Sequence, residues 1–273
     1  MKWIKRILLG LLAVILLAAA VLYGWSATII GKQYDAEPRT VSMSPDSEVI
    51  QRGERLAQVF GCFHGCHGAD MEGSLLVDEL LVARLWSPNL TQAIRKYSTS
   101  ELEAIIRQGI RPDGSSVLAM PSDGFSVMTD EDLTAILSFI ASYPLQDGEA
   151  VSSFVGPLGR FGLITGLFEM AAENTRPKPW QEGFRNDPMK LGEYLAIMAC
   201  AECHGPDLEG QADFTPPLTI AKAYALPDFR KLMSTGVGLG DRDLGLMSRV
   251  AEFRFSLLTD TEVAALHTYL HSR

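Results

Sequence analysis

The apolar residues of this chain form one long uncharged run at its start and shorter periodic segments after it. Residues 7–23 contain neither a charge nor a proline, and the uncharged stretch continues to Gly31. About 20 apolar residues cross the hydrocarbon core of a bilayer. Only basic charges precede the run, and positive charge keeps that end of a spanning helix in the cytoplasm. We therefore predict a single-pass transmembrane anchor at 1–31, with the rest of the chain outside the cytoplasm.

A cleaved signal peptide is the alternative interpretation of the same run. A signal peptide has a shorter apolar region that ends at small residues, and Ala18, Ala19 and Ala20 would supply such a site. The run continues beyond them through Leu22 to Trp25, which favours an uncleaved anchor. In a bacterium this anchor would lie in the cytoplasmic (inner) membrane, with the other residues in the periplasm.

Beyond the anchor, apolar residues recur at helical spacing behind capping residues. The segments 129–142 and 259–272 each open with a threonine that has an acid three residues further on, and Ser98 precedes Glu101 in the same way. This is the capping-box pattern of a helix start, and the apolar spacing of three or four residues is helical. Because strand-like alternation is nowhere sustained, the sequence predicts an all-α fold.

Three landmarks occur twice in the same order, which indicates an internal duplication. The paired landmarks are Gly53-Glu54-Arg55-Leu56-Ala57 with Gly192-Glu193-Tyr194-Leu195-Ala196, Ser87-Pro88-Asn89-Leu90-Thr91 with Thr215-Pro216-Pro217-Leu218-Thr219, and Met128-Thr129-Asp130-Glu131-Asp132-Leu133 with Leu258-Thr259-Asp260-Thr261-Glu262-Val263. We predict two copies of one small domain, a first repeat at 45–145 and a second repeat at 185–273, joined by a linker at 146–184.

The linker is apolar over 154–170, where Arg160 is the one cation and four glycines occur. Three arrangements are open for this segment: on the membrane surface, against a partner subunit, or against the two repeats. Its lack of a clear polar face favours packing against the repeats.

The second repeat contains Cys200-Ala201-Glu202-Cys203-His204, the attachment signature of c-type haem. Two thiols on one helical turn form thioethers with the haem vinyl groups, and the following histidine lies under the porphyrin as an iron ligand. A zinc site would need four ligands, a redox dithiol would need a βαβ context, and a disulfide is the default for exported cysteines. The motif favours haem c at Cys200, Cys203 and His204.

The first repeat contains Cys62-Phe63-His64-Gly65-Cys66-His67, in which three residues instead of two separate the cysteines. The duplication supports the same role, so Cys62 and Cys66 are predicted to attach a second haem c and His67 to bind its iron. The extra residue is expected to bulge the turn, which Gly65 makes easy. Whether both thioethers form here is open, and His64 is interpreted as a solvent-facing loop residue.

Each repeat offers a methionine shortly before its C-terminal helix, at the place expected of a sixth iron ligand. Met120 is the candidate in the first repeat and Met247 in the second. The rival Met128 stands at a helix entry, where an apolar staple residue belongs. The rival Met233 has a helix-like spacing that suggests core packing.

Glycine- and proline-rich stretches at 109–124 and 205–217 are long for structureless loops in a compact domain. A large apolar cofactor would hold them in place. Pro88 in the first repeat, and Pro216 or Pro217 in the second, are predicted to mark the loop whose backbone carbonyl orients the iron-binding histidine.

Composition narrows the function classes. Apolar residues make up 47% and charged residues 21% of the 273 residues, which suits folded domains rather than disorder. The formal net charge of −9 does not suit nucleic acid, which needs a basic footprint. No carboxylate pair, nucleophile triad or phosphate loop stands out, so no catalytic residue is predicted.

With these motifs in view, the chain resembles the class I cytochrome c family. It looks most like membrane-anchored dihaem members and the cytochrome subunits of periplasmic alcohol and gluconate dehydrogenases, although those subunits typically carry three haems. The resemblance covers 45–145 and 185–273. It implies two tandem all-α domains, each with one low-spin haem, and histidine–methionine ligation of iron by His67 with Met120 and by His204 with Met247.

Three functions follow from this resemblance. The first is electron transfer without substrate chemistry, between a donor such as a quinol-oxidising complex or dehydrogenase and an oxidase or soluble cytochrome, through weak redox encounters. The second is a cytochrome subunit of a membrane-bound dehydrogenase or oxidase complex, which the apolar linker would favour. The third is a dihaem peroxidase, which would need one iron with an open sixth position and is disfavoured by the two methionine candidates.

Overall fold

A computed structural model describes residues 2–148, 151–175, 183–212 and 214–273. The predicted linker 146–184 and the stretch 205–217 therefore extend in part into residues outside the described ones. The chain begins with helix α1, Lys2–Ile30, whose residues are exposed except near its C-terminal end, where Ser26 is fully buried. This helix is long and apolar enough to cross a membrane by length and composition.

The described part of the chain is mostly helical. Helices of the first repeat are α2 Ser47–Val59, α3 Leu90–Lys96, α4 Thr99–Glu103, α5 Ser122–Phe125 and α6 Asp130–Ser142, with a π-helical turn at Ala104–Gln108. The linker contains α7, Pro157–Thr165. Helices of the second repeat are α8 Pro188–Leu195, α9 Ala201–His204, α10 Leu226–Thr235, α11 Leu246–Phe253 and α12 Asp260–Ser272, with a π-helical turn at Ala196–Cys200. Short 3-10 turns lie at Ala171–Glu173, Phe184–Asn186, Leu218–Ala223 and Phe255–Leu257.

The predicted caps are present at the starts of the helices. The Thr259 hydroxyl accepts a hydrogen bond from the Glu262 amide, and the Glu262 carboxylate accepts one from the Thr259 amide. Ser98 and Glu101 form the same reciprocal pair. The Thr129 hydroxyl accepts a hydrogen bond from the Asp132 amide at 3.1 Å, whereas the Asp132 carboxylate accepts hydrogen bonds from Tyr194 and Arg185 instead. The three helix starts expected from the sequence are confirmed.

The all-α prediction is wrong in detail, because two small antiparallel sheets accompany the helices. Strands β1 Leu75–Glu79, β2 Ala83–Trp86 and β3 Phe154–Val155 form one sheet in the order β1-β2-β3, and β4 Val237–Gly238 pairs with β5 Arg242–Asp243. Strands of two to five residues are too short for a periodic pattern to indicate them. Strand β3 places the start of the apolar linker segment against the first repeat.

Each repeat is built on one helix pair that crosses at a glycine. Helix α2 packs on α6, and α8 packs on α12. A Cβ added at Gly53 would overlap the carbonyl oxygen of Ala135, and one added at Gly192 would overlap that of Ala265. The duplicated glycines therefore let the two backbones approach closely in both repeats.

The two repeats share one continuous core. Buried apolar residues of both form a single cluster that includes Leu56 and Leu133 of the first repeat and Leu195 and Leu266 of the second. Leu56, Leu133, Leu195 and Leu266 are each at most 2% exposed. The repeats are consequently packed face to face rather than separated by solvent.

Helix α7 packs on the C-terminal end of α1. The Arg160 guanidinium donates to Ser26 Oγ at 2.9 Å and lies 4.7 Å from the centre of the Tyr23 ring. Leu158 and Phe161 remain exposed. The apolar linker thus packs partly against the first repeat, through β3, and partly against α1.

Candidate functional site

A cavity of about 580 Å³ opens in the first repeat and is lined mainly by apolar side chains. Cys62, Cys66, His67 and Met120 all lie on its wall. A volume of this size is typical of a small-molecule or cofactor site. The four residues predicted to hold one haem, separated by up to 58 positions in the sequence, are therefore brought to one place by the fold.

His67 is positioned by the loop that the sequence predicted. Its Nδ1 lies 2.8 Å from the carbonyl oxygen of Pro88, so Nδ1 carries the proton and Nε2 is free to bind a metal. Burial lowers the pKa of His67, although the bond to Pro88 opposes this effect. The neutral imidazole favoured by burial is the form that binds iron.

His204 repeats this arrangement in the second repeat. Its Nδ1 lies 2.8 Å from the carbonyl oxygen of Pro216, which decides between the two prolines proposed for that role. Burial lowers the pKa of His204 as well, against the opposing bond to Pro216. The prediction of a proline carbonyl beside each histidine is confirmed.

The segments after the two histidines also match in detail. The Gly73 amide donates to the His67 carbonyl, and the Gly210 amide donates to the His204 carbonyl, both at 2.9 Å. Gly73 and Gly210 have positive φ values of 92° and 82°. Each turn therefore requires a glycine in the left-handed region to fold back beneath its histidine.

The extra residue between Cys62 and Cys66 changes the local backbone. In the second repeat the cysteines lie on the π-helical turn and α9, whereas in the first repeat α2 ends at Val59 and the motif follows as turns. His64, exposed as predicted, takes a positive φ of 50°. Gly65 is needed for space, because a Cβ there would overlap the carbonyl oxygen of Gly61.

The four cysteines are unpaired thiols. Burial raises the pKa of Cys62 and that of Cys200 to about 12, and it also raises those of Cys66 and Cys203. Among the described residues no group of three or more His, Cys, Asp and Glu side chains could hold a metal ion. The disulfide and zinc interpretations of the motifs thus gain no support from the geometry.

The methionines separate into buried and half-buried sets. The rivals Met128 and Met233 are 1% and 4% exposed and belong to the shared core. Met120 and Met247 are half-buried at the edge of that core. Met120 lines the cavity with His67, whereas Met247 lies in the first turn of α11. Both methionine–histidine pairs stay predictions.

Trp86 provides a test of whether the cavity fits a haem. Its indole Nε1 is buried on the cavity wall and finds no hydrogen-bond acceptor among the described residues. A buried indole N–H normally has a partner, and the carboxylates of a porphyrin would provide one. An apolar cavity with two thiols, a neutral imidazole, a methionine and this free donor fits haem c.

Two further residues, which the sequence did not single out, lie where the two motifs meet. Glu202, inside the second motif, lines the cavity of the first repeat and lies 3.9 Å from Cys66 Sγ through Oε1. Arg254 lies 3.2 Å from the other oxygen of Glu202. Glu202 stands at one of the two unspecified positions of the C-x-x-C-H motif, and Arg254 belongs to no motif. The sequence alone therefore provides no reason to single out either residue.

Two parts of the chain match known protein families. Residues 48–140 match the family described as cytochrome C oxidase, cbb3-type, subunit III. Residues 189–273 match the family described as cytochrome c. The two matched regions lie within the two predicted repeats.

Curated relatives cover most of this chain at low identity. The cytochrome subunit of fructose dehydrogenase from Gluconobacter japonicus is 25% identical over 82% of this chain and 52% of its own length. The cytochrome c subunit of the quinone alcohol dehydrogenase from Gluconacetobacter polyoxogenes is 25% identical over 83% of the chain and 56% of its own length. The cytochrome c subunit of gluconate 2-dehydrogenase from Pantoea cypripedii is 26% identical, with shares of 82% and 59%. The chain thus spans a little over half the length of these relatives.

Proposed function

The chain belongs to the cytochrome c family, and from that premise we propose that it is a membrane-anchored dihaem cytochrome that transfers electrons. One repeated arrangement carries the proposal. In each repeat a histidine directly follows the second of two cysteines, and its Nδ1 lies 2.8 Å from a proline carbonyl oxygen. Cytochrome c domains imply haem c, and each repeat has its own set of residues for one.

Each residue of the proposed sites has a defined task. Cys62 and Cys66, and in the second repeat Cys200 and Cys203, provide the sulfurs for thioether attachment. The Pro88 and Pro216 carbonyls hold their histidines in the tautomer that presents Nε2. When bound, each haem iron accepts and donates one electron.

Methionines fill the sixth iron positions in this proposal. Met120 would bind iron opposite His67, and Met247 opposite His204. Histidine–methionine ligation raises the reduction potential and leaves no open position for a substrate. The chain is therefore assigned electron transfer and no substrate chemistry of its own.

The proposed location is the outer face of the cytoplasmic membrane of a bacterium. Helix α1 is the supporting element, because its apolar surface lies open to its surroundings along most of its length. Because the charges at its N-terminal end are all basic, the N-terminus lies on the cytoplasmic side. Both repeats then lie in the periplasm, tethered close to the bilayer.

The proposal is tested by counting haems on the purified full-length chain. Expression with the cytochrome c maturation machinery, followed by pyridine haemochrome assay and mass spectrometry, should give two haems per chain. Cys200→Ser combined with Cys203→Ser should leave one haem, and Cys62→Ser combined with Cys66→Ser should leave the other. A wild-type chain that takes up no haem, or one only, would contradict the proposal.

A second candidate is a subunit role in a membrane-bound dehydrogenase complex. The similarity to cytochrome subunits of dehydrogenases favours it, as do the exposed apolar side chains Leu158, Phe161 and Leu167 on and after α7. The test is purification of the tagged chain from its native membrane in mild detergent. Stoichiometric recovery with a dehydrogenase subunit would support this role, and a homogeneous single chain would exclude it.

A further inference from the structure

The predicted haem-attachment segments of the two repeats, 61–67 and 200–204, lie next to each other where the repeats meet. Glu202 of the second segment reaches Cys66 of the first, with Oε1 3.9 Å from Sγ. It also lines the cavity beside His67. The two segments that would hold the haems therefore meet at one small junction.

Arg254 fills this junction. Its Nε donates to the Val59 carbonyl at 3.0 Å, and its Nη1 lies 3.2 Å from Glu202. A Cβ at Gly61 would be 3.0 Å from the guanidinium carbon. The arginine is thus held against the first attachment segment while it pairs with the second.

The charge of Arg254 acts on both attachment segments. Arg254 lies beside Gly61 of the first segment and 3.2 Å from Glu202 of the second. Its side chain is 11% exposed and that of Glu202 is 29% exposed. Arg254 Nη2 is buried and has no hydrogen-bond partner among the described residues. In such a partly dry environment a charge acts more strongly on its neighbours than it would in water.

The junction is asymmetric, although the repeats are copies. Arg254 stands five residues before the capping Thr259, and the residue at the same distance before Thr129 is Gly124. Gly124 approaches Ile197, whose carbonyl would lie 3.3 Å from a Cβ at position 124. One copy of the interface therefore contains a charge, and the other contains close backbone packing.

We propose that Arg254 and Glu202 form a charge pair at the junction in which each charge offsets the effect of the other on the reduction potentials of both haem sites. This inference rests on the proposed dihaem function. Iron loses one positive charge on reduction, so a nearby cation favours the reduced state and a nearby anion the oxidised state. Paired, the two charges largely cancel, and removal of either exposes the other.

The pair predicts opposite shifts from two neutralising variants, which a purely structural role would not produce. In holoprotein, Arg254→Gln leaves the Glu202 carboxylate uncompensated and should lower both potentials. Glu202→Gln leaves the Arg254 cation uncompensated and should raise them. An uncompensated unit charge within roughly 10 Å of an iron, at an effective dielectric constant of about 20, changes the equilibrium constant for reduction of that iron on the order of tenfold. Tenfold corresponds to about 59 mV for a one-electron couple.

The experiment is a spectroelectrochemical titration of the full-length holoprotein, with haem content measured on every sample. Arg254→Lys and the double variant Arg254→Gln/Glu202→Gln should both have potentials close to wild type. Arg249→Gln, on the exposed face of α11, is the matched control for loss of a cation. Should Arg254→Gln not fold, two other variants still decide the question. The potentials must rise in Glu202→Gln and stay unchanged in Arg254→Lys.

Two results distinguish the inference from its premise. Suppose that the chain carries two haems. The charge-pair inference alone is then overturned if both single variants shift the potentials in the same direction, or if they shift them no more than Arg249→Gln does. A wild-type chain without two haems would overturn the proposed function, and this inference with it.

Discussion

Tyr194 of the second repeat donates a hydrogen bond of 2.6 Å from its hydroxyl to a carboxylate oxygen of Asp132 in the first repeat. Arg55 of the first repeat donates to Glu262 of the second at 2.7 Å. Arg55 and Tyr194 occupy the same position in the duplicated Gly-Glu sequence, and Asp132 and Glu262 both stand three residues after a capping threonine. Equivalent positions of the two repeats are therefore paired in both directions across the interface.

This reciprocity is the property of a two-fold interface, in which the same surface of each partner contacts the other. A tandem duplication has retained it within one chain. The predicted attachment segments consequently lie next to each other. Small departures from symmetry, such as Arg254 against Gly124, then distinguish two otherwise similar sites.

The first prediction concerns Asp132, which is fully buried among Arg52, Arg185 and Tyr194. Asp132→Ala removes the buried carboxylate that accepts hydrogen bonds from two guanidinium groups and a phenol. We expect it to lower the free energy of unfolding by about 3–5 kcal/mol. Urea unfolding followed by far-UV circular dichroism measures this loss.

Glu131→Ala is the control for that experiment. Glu131 pairs with the same two arginines, but its side chain is 62% exposed. An exposed pair contributes about 1 kcal/mol or less. Equal losses in the two variants would show that Asp132 does not join the repeats.

The second prediction concerns the glycines at the helix crossings. Gly53→Ala and Gly192→Ala would each force a methyl group against a carbonyl oxygen of the facing helix. Overpacking of this kind costs about 1–3 kcal/mol, and we expect at least that loss in the free energy of unfolding. Gly24→Ala, which has open space around it in α1, should have no such effect.

The third prediction separates the two methionines of the first repeat by spectroscopy. Met120→Leu should convert one of two haems to a high-spin form that binds cyanide, because its sixth position would open. Met128→Leu keeps the volume of a buried side chain, and such exchanges usually cost less than about 1.5 kcal/mol. Its spectrum should remain low-spin. High-spin haem in the Met128 variant alone would reassign the ligand.

The fourth prediction concerns the thioethers in the first repeat. The Cys66 amide donates to the Gly61 carbonyl at 2.8 Å, which closes the enlarged loop and keeps both sulfurs on the cavity wall. We therefore expect no thiol to react with an alkylating reagent in the denatured holoprotein. One alkylated cysteine per chain, located by peptide mass spectrometry at Cys62 or Cys66, would indicate a single thioether.

The fifth prediction concerns the attachment of α7 to α1. Arg160→Ala removes the hydrogen bond to Ser26 and the contact with the Tyr23 ring. Amide hydrogen exchange over 157–165 should become faster in the chain reconstituted in lipid nanodiscs, since local opening becomes easier. Exchange in α12 should not change. Unaltered protection of α7 would mean that other contacts hold it.

The local features of this protein follow from its sequence. The capped helix starts at Thr129 and Thr259 and the long apolar helix are encoded by residues close together in the chain, whose spacing and side-chain chemistry act within one or two turns. The proline carbonyl beside each histidine was predictable for a different reason, because the repeated motifs mark both loops. The short strands were not, since two to five residues carry no periodic signal.

Only the tertiary structure decided what residues distant in the chain do together. It placed Met120 on the cavity wall with His67, buried Met128 and Met233 in the core, and chose Pro216 over Pro217. It also paired Tyr194 with Asp132 and Arg55 with Glu262, contacts that depend on how two folded repeats meet. Sequence alone fixes the bonding capacity of each side chain, whereas the packing of the shared core determines which partner it reaches.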